Sequence, residues 1–204
     1  MSLFITFEGG EGSGKSVQAR ALYRKLSRLA IPVVLTHEPG VTPLGKKIAR
    51  WLKWGQDAIS PVTELMLFNA SRAQLVTEVI KPSLESGRVV ICDRYSDSTT
   101  AYQSYGRGLD LDMVRAVNNA AMQGLKPTLT ILLDMPVEAG LARKRDRKHD
   151  RFERESIAFH KRVREGYLEL ATGEPDRWLV VDASRSKEKV AEIIRQKVSQ
   201  LMEI

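Results

Sequence analysis

A glycine-rich run extends from Gly9 to Ser16, reads GGEGSGKS, and has the spacing G-x-x-x-x-G-K-[ST]. Glycines at this spacing let backbone N–H groups converge on phosphate oxygens, and a helix that begins there adds positive potential. Lys15 can reach terminal phosphates, and the Ser16 hydroxyl can ligate Mg²⁺. The run therefore predicts a triphosphate-binding loop, with an ordinary glycine turn as the alternative. Its predicted binding residues are Gly9, Gly10, Glu11, Gly12, Ser13, Gly14, Lys15 and Ser16.

Charged side chains also follow a later apolar run. Asp93 and Arg94 come directly after residues 89–92, which read VVIC. A carboxylate at that place can hold Mg²⁺ through water or polarise an attacking oxygen, and Asp134 is its rival for the role. The Arg94 guanidinium suits bidentate contact with an acceptor phosphate, with a structural ion pair as the alternative.

Two further groups could recognise a base. Phe68 and Arg72 are four residues apart, so on a helix they share a face and could stack a base and bond its edge. Thr99, Tyr102 and Gln103 form a polar cluster after the aspartate–arginine pair. A place in the core for Phe68 and solvent exposure for Gln103 are the alternatives.

The segment 143–155 is basic, with seven Lys or Arg against four Asp or Glu. Arginines that close over a triphosphate would neutralise charge that develops during transfer, and closure would exclude water. The alternative is a solvated helix face with i,i+4 ion pairs. The segment predicts a lid, whose candidate catalytic residues are Arg143, Arg145, Arg147 and Arg151.

Strand and helix patterns alternate along the whole chain. Apolar, strand-like runs occupy residues 3–8, 32–37, 88–92, 128–134 and 178–182. Helical patterns occupy residues 15–29, 44–54, 61–84, 110–122, 136–146, 151–171 and 186–202. This alternation predicts an α/β fold with a five-stranded parallel sheet flanked by helices, in a single domain over residues 1–204. Ligands of such sheets lie beyond the carboxyl ends of the strands, where the residues above are found.

Composition narrows the class of protein. The 204 residues are 43% hydrophobic, carry a net charge of +7 and include one cysteine, Cys92, which we interpret as a core thiol. The sequence contains no apolar run of about 18 residues, so we expect no membrane span. The first predicted strand begins at residue 3, which we expect to leave no room for a signal peptide. These features predict a cytoplasmic protein with no membrane partner. The positive charge suits small anionic substrates or a nucleic acid; without an RNA-binding aromatic signature or zinc finger, we expect no nucleic-acid partner.

Taken together, these motifs resemble those of the thymidylate kinase family over about residues 3–200. Glu38-Pro39-Gly40 and Asp93-Arg94-Tyr95 are similar to the most specific marks of that family, and the segment from Phe4 to Gly9 resembles its opening. Val41 departs from the glycine usual there. The variable P-loop positions carry no basic residue whereas the lid carries arginines, which resembles the lid-arginine subclass common in bacteria.

The resemblance implies a P-loop nucleoside monophosphate kinase fold, transfer of the γ-phosphoryl group of ATP to dTMP with Mg²⁺, and a homodimer. It also implies roles for individual residues. Phe68 would stack on thymine, Arg72 would bond the base edge, and Thr99 and Gln103 would complete recognition. The implied substrate-binding set is Glu11, Glu38, Pro39, Phe68, Arg72, Arg94, Thr99, Tyr102 and Gln103, with Ser16 and Asp93 at the metal and Lys15, Arg94 and Asp93 in catalysis.

Two rival functions stay open at this point. The first is another P-loop nucleotide kinase, acting on a different monophosphate or on a deoxynucleoside. The second is a P-loop switch or nucleic-acid-binding ATPase. This hypothesis rests on the net positive charge, and it predicts that DNA or RNA stimulates ATP hydrolysis.

Overall fold

The computed structural model of the protein describes residues 2–144 and 149–203. Five parallel strands form one sheet in the order β2-β3-β1-β4-β5, which confirms the predicted fold class. The strands are β1 (Phe4–Glu8), β2 (Val33–His37), β3 (Val89–Asp93), β4 (Leu129–Asp134) and β5 (Trp178–Asp182).

Helices cover both faces of this sheet, and most of them follow the predicted pattern. They are α1 (Lys15–Arg28), α2 (Pro43–Trp54), α3 (Pro61–Leu75), α4 (Lys81–Glu85), α5 (Ser96–Thr99), α6 (Leu111–Met122), α7 (Val137–Ala142), α8 (Ile157–Gly173) and α9 (Lys187–Met202). Ser60 caps α3 by accepting the N–H of Thr63 at 3.2 Å, as its place before Pro61 leads one to expect. Among the described helices, none combines the length and apolar character needed to cross a membrane.

Three helical segments differ from the sequence pattern. The predicted helix over residues 61–84 is divided by a π-helical segment at Val76–Ile80, after which Pro82 lies in the first turn of α4, where a proline is tolerated. A second π-helical segment, Thr100–Gly106, continues α5, so the polar cluster after Arg94 lies on a helix that the sequence pattern does not predict. Finally, α8 begins at Ile157, because Ser156 caps it by accepting the N–H of Phe159, six residues later than predicted at 151.

The register of the sheet brings two of the predicted site segments together. Phe7 of β1 pairs with Asp93 of β3, so the glycine loop after β1 and Arg94 after β3 leave the sheet side by side. Apolar side chains of β1 and β4 pack against α1 and α9 and hold the loop's flanking elements rigidly. Cys92 is fully buried in β3, and burial raises the pKa of its thiol well above the ordinary value, as expected of a core thiol.

Candidate active site

The glycine loop joins the end of β1 to the start of α1. Gly14 precedes α1 with φ +91°, and no side chain of the described residues caps this helix. The N-terminus of α1 therefore keeps its positive potential for an anion. Gly12, at φ +70°, lies so close to α7 that an added Cβ would be 1.9 Å from the carbonyl oxygen of Gly140. Only glycine fits there, so close contact with α7 fixes the loop's shape.

Lys15 is held inside this loop. Its Nζ donates hydrogen bonds to the carbonyl oxygens of Gly9, at 2.9 Å, and of Gly10, at 2.7 Å. Burial, followed by the positive charge of Arg94, lowers the pKa of Lys15 to about 7, against the opposing effect of Glu11 and Asp93. The ammonium group is therefore poorly solvated, and a phosphate group would attract it strongly.

Ser16 and Asp93 bring two oxygen ligands together. The Ser16 hydroxyl donates a short hydrogen bond to Oδ2 of Asp93, which joins the start of α1 to the end of β3. The rival carboxylate, Asp134, is instead held by Nε and Nη2 of Arg164 at 2.7 and 2.8 Å. The described residues contain no cluster of three or more His, Cys, Asp or Glu suited to a metal ion. A hydroxyl and one carboxylate fit Mg²⁺, which usually binds few protein oxygens and completes its shell with phosphates and water.

Arg94 lies at the centre of the polar contacts above the sheet. Its backbone has φ +71°, a left-handed conformation that is uncommon for a residue other than glycine. Nη2 donates to Oε1 of Glu11 at 2.8 Å and to the Tyr102 hydroxyl at 3.2 Å. The guanidinium thus faces the glycine loop across the cleft.

Glu11 links this arginine to the basic segment. Its Oε2 accepts a hydrogen bond from Nζ of Lys144 at 2.7 Å, while Oε1 accepts from Arg94. Burial alone would raise the pKa of Glu11, but Arg94, Lys15 and Lys144 hold it well below its usual range. The ionised carboxylate of Glu11 therefore lies between two cations that face the cleft, Arg94 and Lys144. A bound phosphate group would compete with this carboxylate for the same cations.

The residues predicted to recognise a base line the same cleft. They are Phe68, Arg72, Thr99, Tyr102 and Gln103, together with Glu38 and Pro39. The half-buried ring of Phe68 packs against Phe152 with centroids 5.5 Å apart, so it is neither pure core nor fully exposed. Nε2 of Gln103 donates to Glu64 at 2.9 Å, and this side chain is buried, not solvent-exposed.

Arg72 has a more structural environment than the sequence indicates. Its side chain is 1% exposed and forms an ion pair with Glu38 at 2.7 Å. The guanidinium nitrogens also donate to Asn69, Asn118, Thr99 and the carbonyl oxygen of Tyr95. These contacts engage all five N–H groups that an arginine has, so bonding a base edge would require Arg72 to exchange a protein partner. Its role in base recognition stays a prediction.

The candidate lid residues do not share one location. Arg143 lines the cleft and reaches the carbonyl oxygen of Ala183, with Nη2 at 3.3 Å. Arg151 turns away from the cleft, and its Nη2 donates to the carbonyl oxygen of Ile59 at 3.0 Å. Arg145 and Arg147 lie outside the described residues. Nη1 of Arg143 also donates to the carbonyl oxygen of Gly12 in the glycine loop at 3.4 Å. Lys144, which the sequence pattern did not single out, forms an ion pair with Glu11 of the same loop.

The sequence analysis gives no role to three more residues that lie around Arg94: Glu8, Ser98 and Tyr167. They surround Arg94 from the end of β1, from α5 and from α8. Glu8 is visible in the sequence only as a charged residue that ends an apolar strand. Tyr167 lies in an ordinary helical pattern far along the chain, so nothing local marks it.

Comparison with known proteins identifies the class and then the family. The structure resembles the crystal structure of thymidylate kinase from Ehrlichia chaffeensis, with a TM-score of 0.81, 31% sequence identity, and coverage of 97% of this chain and 98% of that one. The fold and the glycine loop define a P-loop nucleoside monophosphate kinase.

Sequence relatives specify the family. The thymidylate kinase family model matches residues 7–194. The thymidylate kinase of Dehalococcoides mccartyi strain CBDB1 is 57% identical over 99% of this chain and 98% of its own, and that of Halothermothrix orenii is 48% identical over 96% of each. The chain belongs to the thymidylate kinase family. It is an enzyme that phosphorylates dTMP to dTDP, with ATP as the phosphate donor.

Proposed function

We propose that ATP binds along the glycine loop and dTMP binds opposite it, beside Phe68 and Arg94, so that the γ-phosphoryl group passes directly between them. The observation that carries this proposal is one continuous cleft of about 990 Å³ that both sets of residues line. Phosphoryl transfer chiefly requires alignment of the two nucleotides and neutralisation of their charge. A shared cleft with cations from two sides supplies both.

In this proposal Arg94 holds the acceptor phosphate and Lys15 holds the terminal phosphates of ATP. The support is that each cation already binds oxygen atoms at the cleft: Arg94 binds the carboxylate of Glu11, and Lys15 binds the carbonyl oxygens of the loop. Lys144, 2.7 Å from Glu11, and Arg143 add positive charge from the basic segment. The lid over residues 143–155 and the single domain over residues 1–204 stay part of the proposal.

Mg²⁺ belongs to the same proposal. Ser16 and Asp93 would hold the ion together with phosphate oxygens, and the ion would neutralise phosphate charge and orient the transferring group. The Ser16 hydroxyl and the Asp93 carboxylate suit these roles because they are already hydrogen-bonded to each other at the start of α1.

We also propose a cytoplasmic homodimer in the pathway of dTTP synthesis. The family resemblance implies the dimer. Leu44 and Trp51 on α2, and Val62 and Met66 on α3, are exposed and follow helical spacing, which favours a partner on that side of the molecule. The occupant that we propose is a second copy of the chain. Cys92, buried and without disulfide, suits a reducing compartment.

Steady-state rates with dTMP, dUMP, dCMP, dGMP and AMP test the acceptor assignment. We expect the highest kcat/KM with dTMP, because the cleft pairs an aromatic ring with buried polar groups suited to one base. A higher value for any other monophosphate would contradict the proposal. Stimulation of ATP hydrolysis by DNA or RNA would instead support the rival nucleic-acid-dependent ATPase.

Replacing Phe68 with alanine is expected to weaken dTMP binding while ATP binding is kept. Loss of base–aromatic stacking corresponds to an increase of roughly 10- to 100-fold in the KM for dTMP. The measurement is the KM for each substrate, with the matched variant Phe159→Ala reporting on loss of a neighbouring buried ring. If Phe68→Ala raises both KM values equally, or lowers the melting temperature as much as Phe159→Ala does, Phe68 is a core residue.

A further inference from the structure

Glu8 is a buried acidic residue that has no role in the function proposed above. It ends β1, immediately before the glycine loop, and it is 0% exposed. Its Oε1 accepts the backbone N–H of Tyr95 at 2.7 Å. Its Oε2 accepts the hydroxyl protons of Ser98 at 2.5 Å and Tyr167 at 2.9 Å. This buried carboxylate has three donors, two from the N-terminal end of α5 and one from α8, and is therefore an organising centre, not a chance contact.

The same two hydroxyl groups also contact Arg94. Nη1 of Arg94 donates to Oγ of Ser98 at 3.1 Å and to Oη of Tyr167 at 3.2 Å. A hydroxyl group has one proton, so a hydroxyl that gives it to Glu8 presents only lone pairs to its other neighbours. Ser98 Oγ and Tyr167 Oη are also 2.8 Å apart, so their two protons are shared between this contact and Oε2 of Glu8. The negative charge of Glu8 draws these protons toward Oε2 and leaves lone pairs on both oxygens for the guanidinium.

The backbone of Arg94 gives a second, independent reason for such support. Its φ of +71° is uncommon for a residue with a side chain, and such conformations persist where the surroundings enforce them. The peptide N–H of Tyr95, the next residue, is tied to Glu8 at 2.7 Å. Glu8 thus restrains Arg94 at two points, through the following peptide and through the guanidinium.

We propose that Glu8 is a positioning residue of the phosphoryl transfer: acting through Ser98 and Tyr167, it fixes the Arg94 guanidinium for the acceptor phosphate. This inference rests on the proposed role of Arg94. Glutamine at position 8 keeps the shape but replaces an acceptor oxygen with an N–H donor. In one orientation of the amide the two hydroxyls lose their acceptor, and in the other the N–H of Tyr95 loses it. Either way, one of the two restraints on Arg94 is broken.

The charges around Glu8 make its effect dependent on pH. Burial and the nearby Asp97 of α5 raise the pKa of Glu8 to about 7, against the effect of Ser98, Arg94 and the N–H of Tyr95. Tyr167 is the titratable group of α8 that faces Glu8. Burial raises the pKa of Tyr167 well above its ordinary value, so the Tyr167 hydroxyl stays neutral. Glu8 loses its charge as the pH falls through about 7. The kcat/KM for dTMP should fall in the same range, in addition to any effect of the substrate phosphate, which titrates near pH 6.

The test compares Glu8→Gln with the wild-type enzyme and with a control, Glu169→Gln, which alters a carboxylate that accepts from a surface tyrosine, Tyr105. We expect Glu8→Gln to lower kcat/KM for dTMP about 10- to 100-fold, as misplacement of a catalytic group does. The KM for ATP should change little, and the acidic limb near pH 7 should disappear. If Glu8→Gln does not fold, Tyr167→Phe combined with Ser98→Ala tests the same link.

A double-mutant cycle separates positioning from general stability. In an Arg94→Ala background, Glu8→Gln should have almost no further effect, because the residue through which it acts is absent. Full, additive loss in that background would overturn the inference, as would wild-type kcat/KM in Glu8→Gln with an unchanged pH profile. Normal turnover in Arg94→Ala alone would instead contradict the proposed role of Arg94, so the two failures are distinguishable.

Discussion

Replacing Arg94 with alanine is expected to lower kcat by on the order of 10²–10³, the loss that follows removal of a single transition-state donor. The physical reason is that the guanidinium lies at the cleft, across from the glycine loop, where charge on the transferring group must be neutralised. Steady-state kinetics with dTMP and ATP measure the effect. We also expect the KM for ATP to change less than kcat, because Arg94 would hold the acceptor and not the donor.

A matched variant guards against a general effect of losing an arginine. Arg115 is 56% exposed on α6 and pairs only weakly with Asp112 at 3.6 Å, so Arg115→Ala should leave kcat unchanged. Near-normal turnover in a folded Arg94→Ala protein would contradict the assignment of Arg94 to the acceptor phosphate.

Replacing Arg72 with methionine is expected to destabilise the protein by about 3–5 kcal/mol, the cost of leaving a buried partner charge uncompensated. Arg72 and Glu38 are 1% and 3% exposed, so little solvent reaches the carboxylate to replace the lost partner. Chemical denaturation measures the free energy of unfolding. The matched control, Arg185→Met, breaks an exposed pair with Asp182 and should cost less than about 1 kcal/mol.

The loss in Arg72→Met should depend on pH. Burial raises the pKa of Glu38 above its ordinary value, and Arg72 opposes this rise. Without Arg72 the folded-state pKa rises further, so protonation stabilises the variant in acid and this stability is lost as the pH increases through the raised pKa. The deficit relative to wild type should therefore be smaller in acidic than in alkaline solution. A small deficit with unchanged pH dependence would show that Arg72 is free to serve the substrate.

Much of the fold follows from local patterns in the sequence. Short stretches of sequence are enough to recognise the glycine loop, the apolar strands and the capped helices. Their alternation along the chain is compatible with few topologies. The place of Asp93 and Arg94 in the lining of the cleft was predictable, because they come at the end of a buried strand. By contrast, the polar segment from Ser96 to Gly106 is helical because it is packed between α6 and α8, which no local periodicity indicates.

Partners of the site residues were not predictable, because they are distant along the chain. Glu11 meets Arg94 and Lys144, and Glu8 meets Tyr167, across separations of 83, 133 and 159 residues. Such pairs depend on tertiary packing and have no spacing that a sequence pattern could detect. The same limit explains Arg72, whose helical spacing from Phe68 indicates a shared face but not the buried carboxylate that already occupies its guanidinium.

A crystal structure with dTMP and a non-hydrolysable ATP analogue tests the central claim most directly. We predict that the acceptor phosphate lies between Lys15 and Arg94, with Arg94 nitrogens about 2.7–2.9 Å from its oxygens in place of the Glu11 carboxylate. The thymine ring should contact Phe68. An acceptor phosphate bound away from Arg94, or a thymine that does not reach Phe68, would contradict the account.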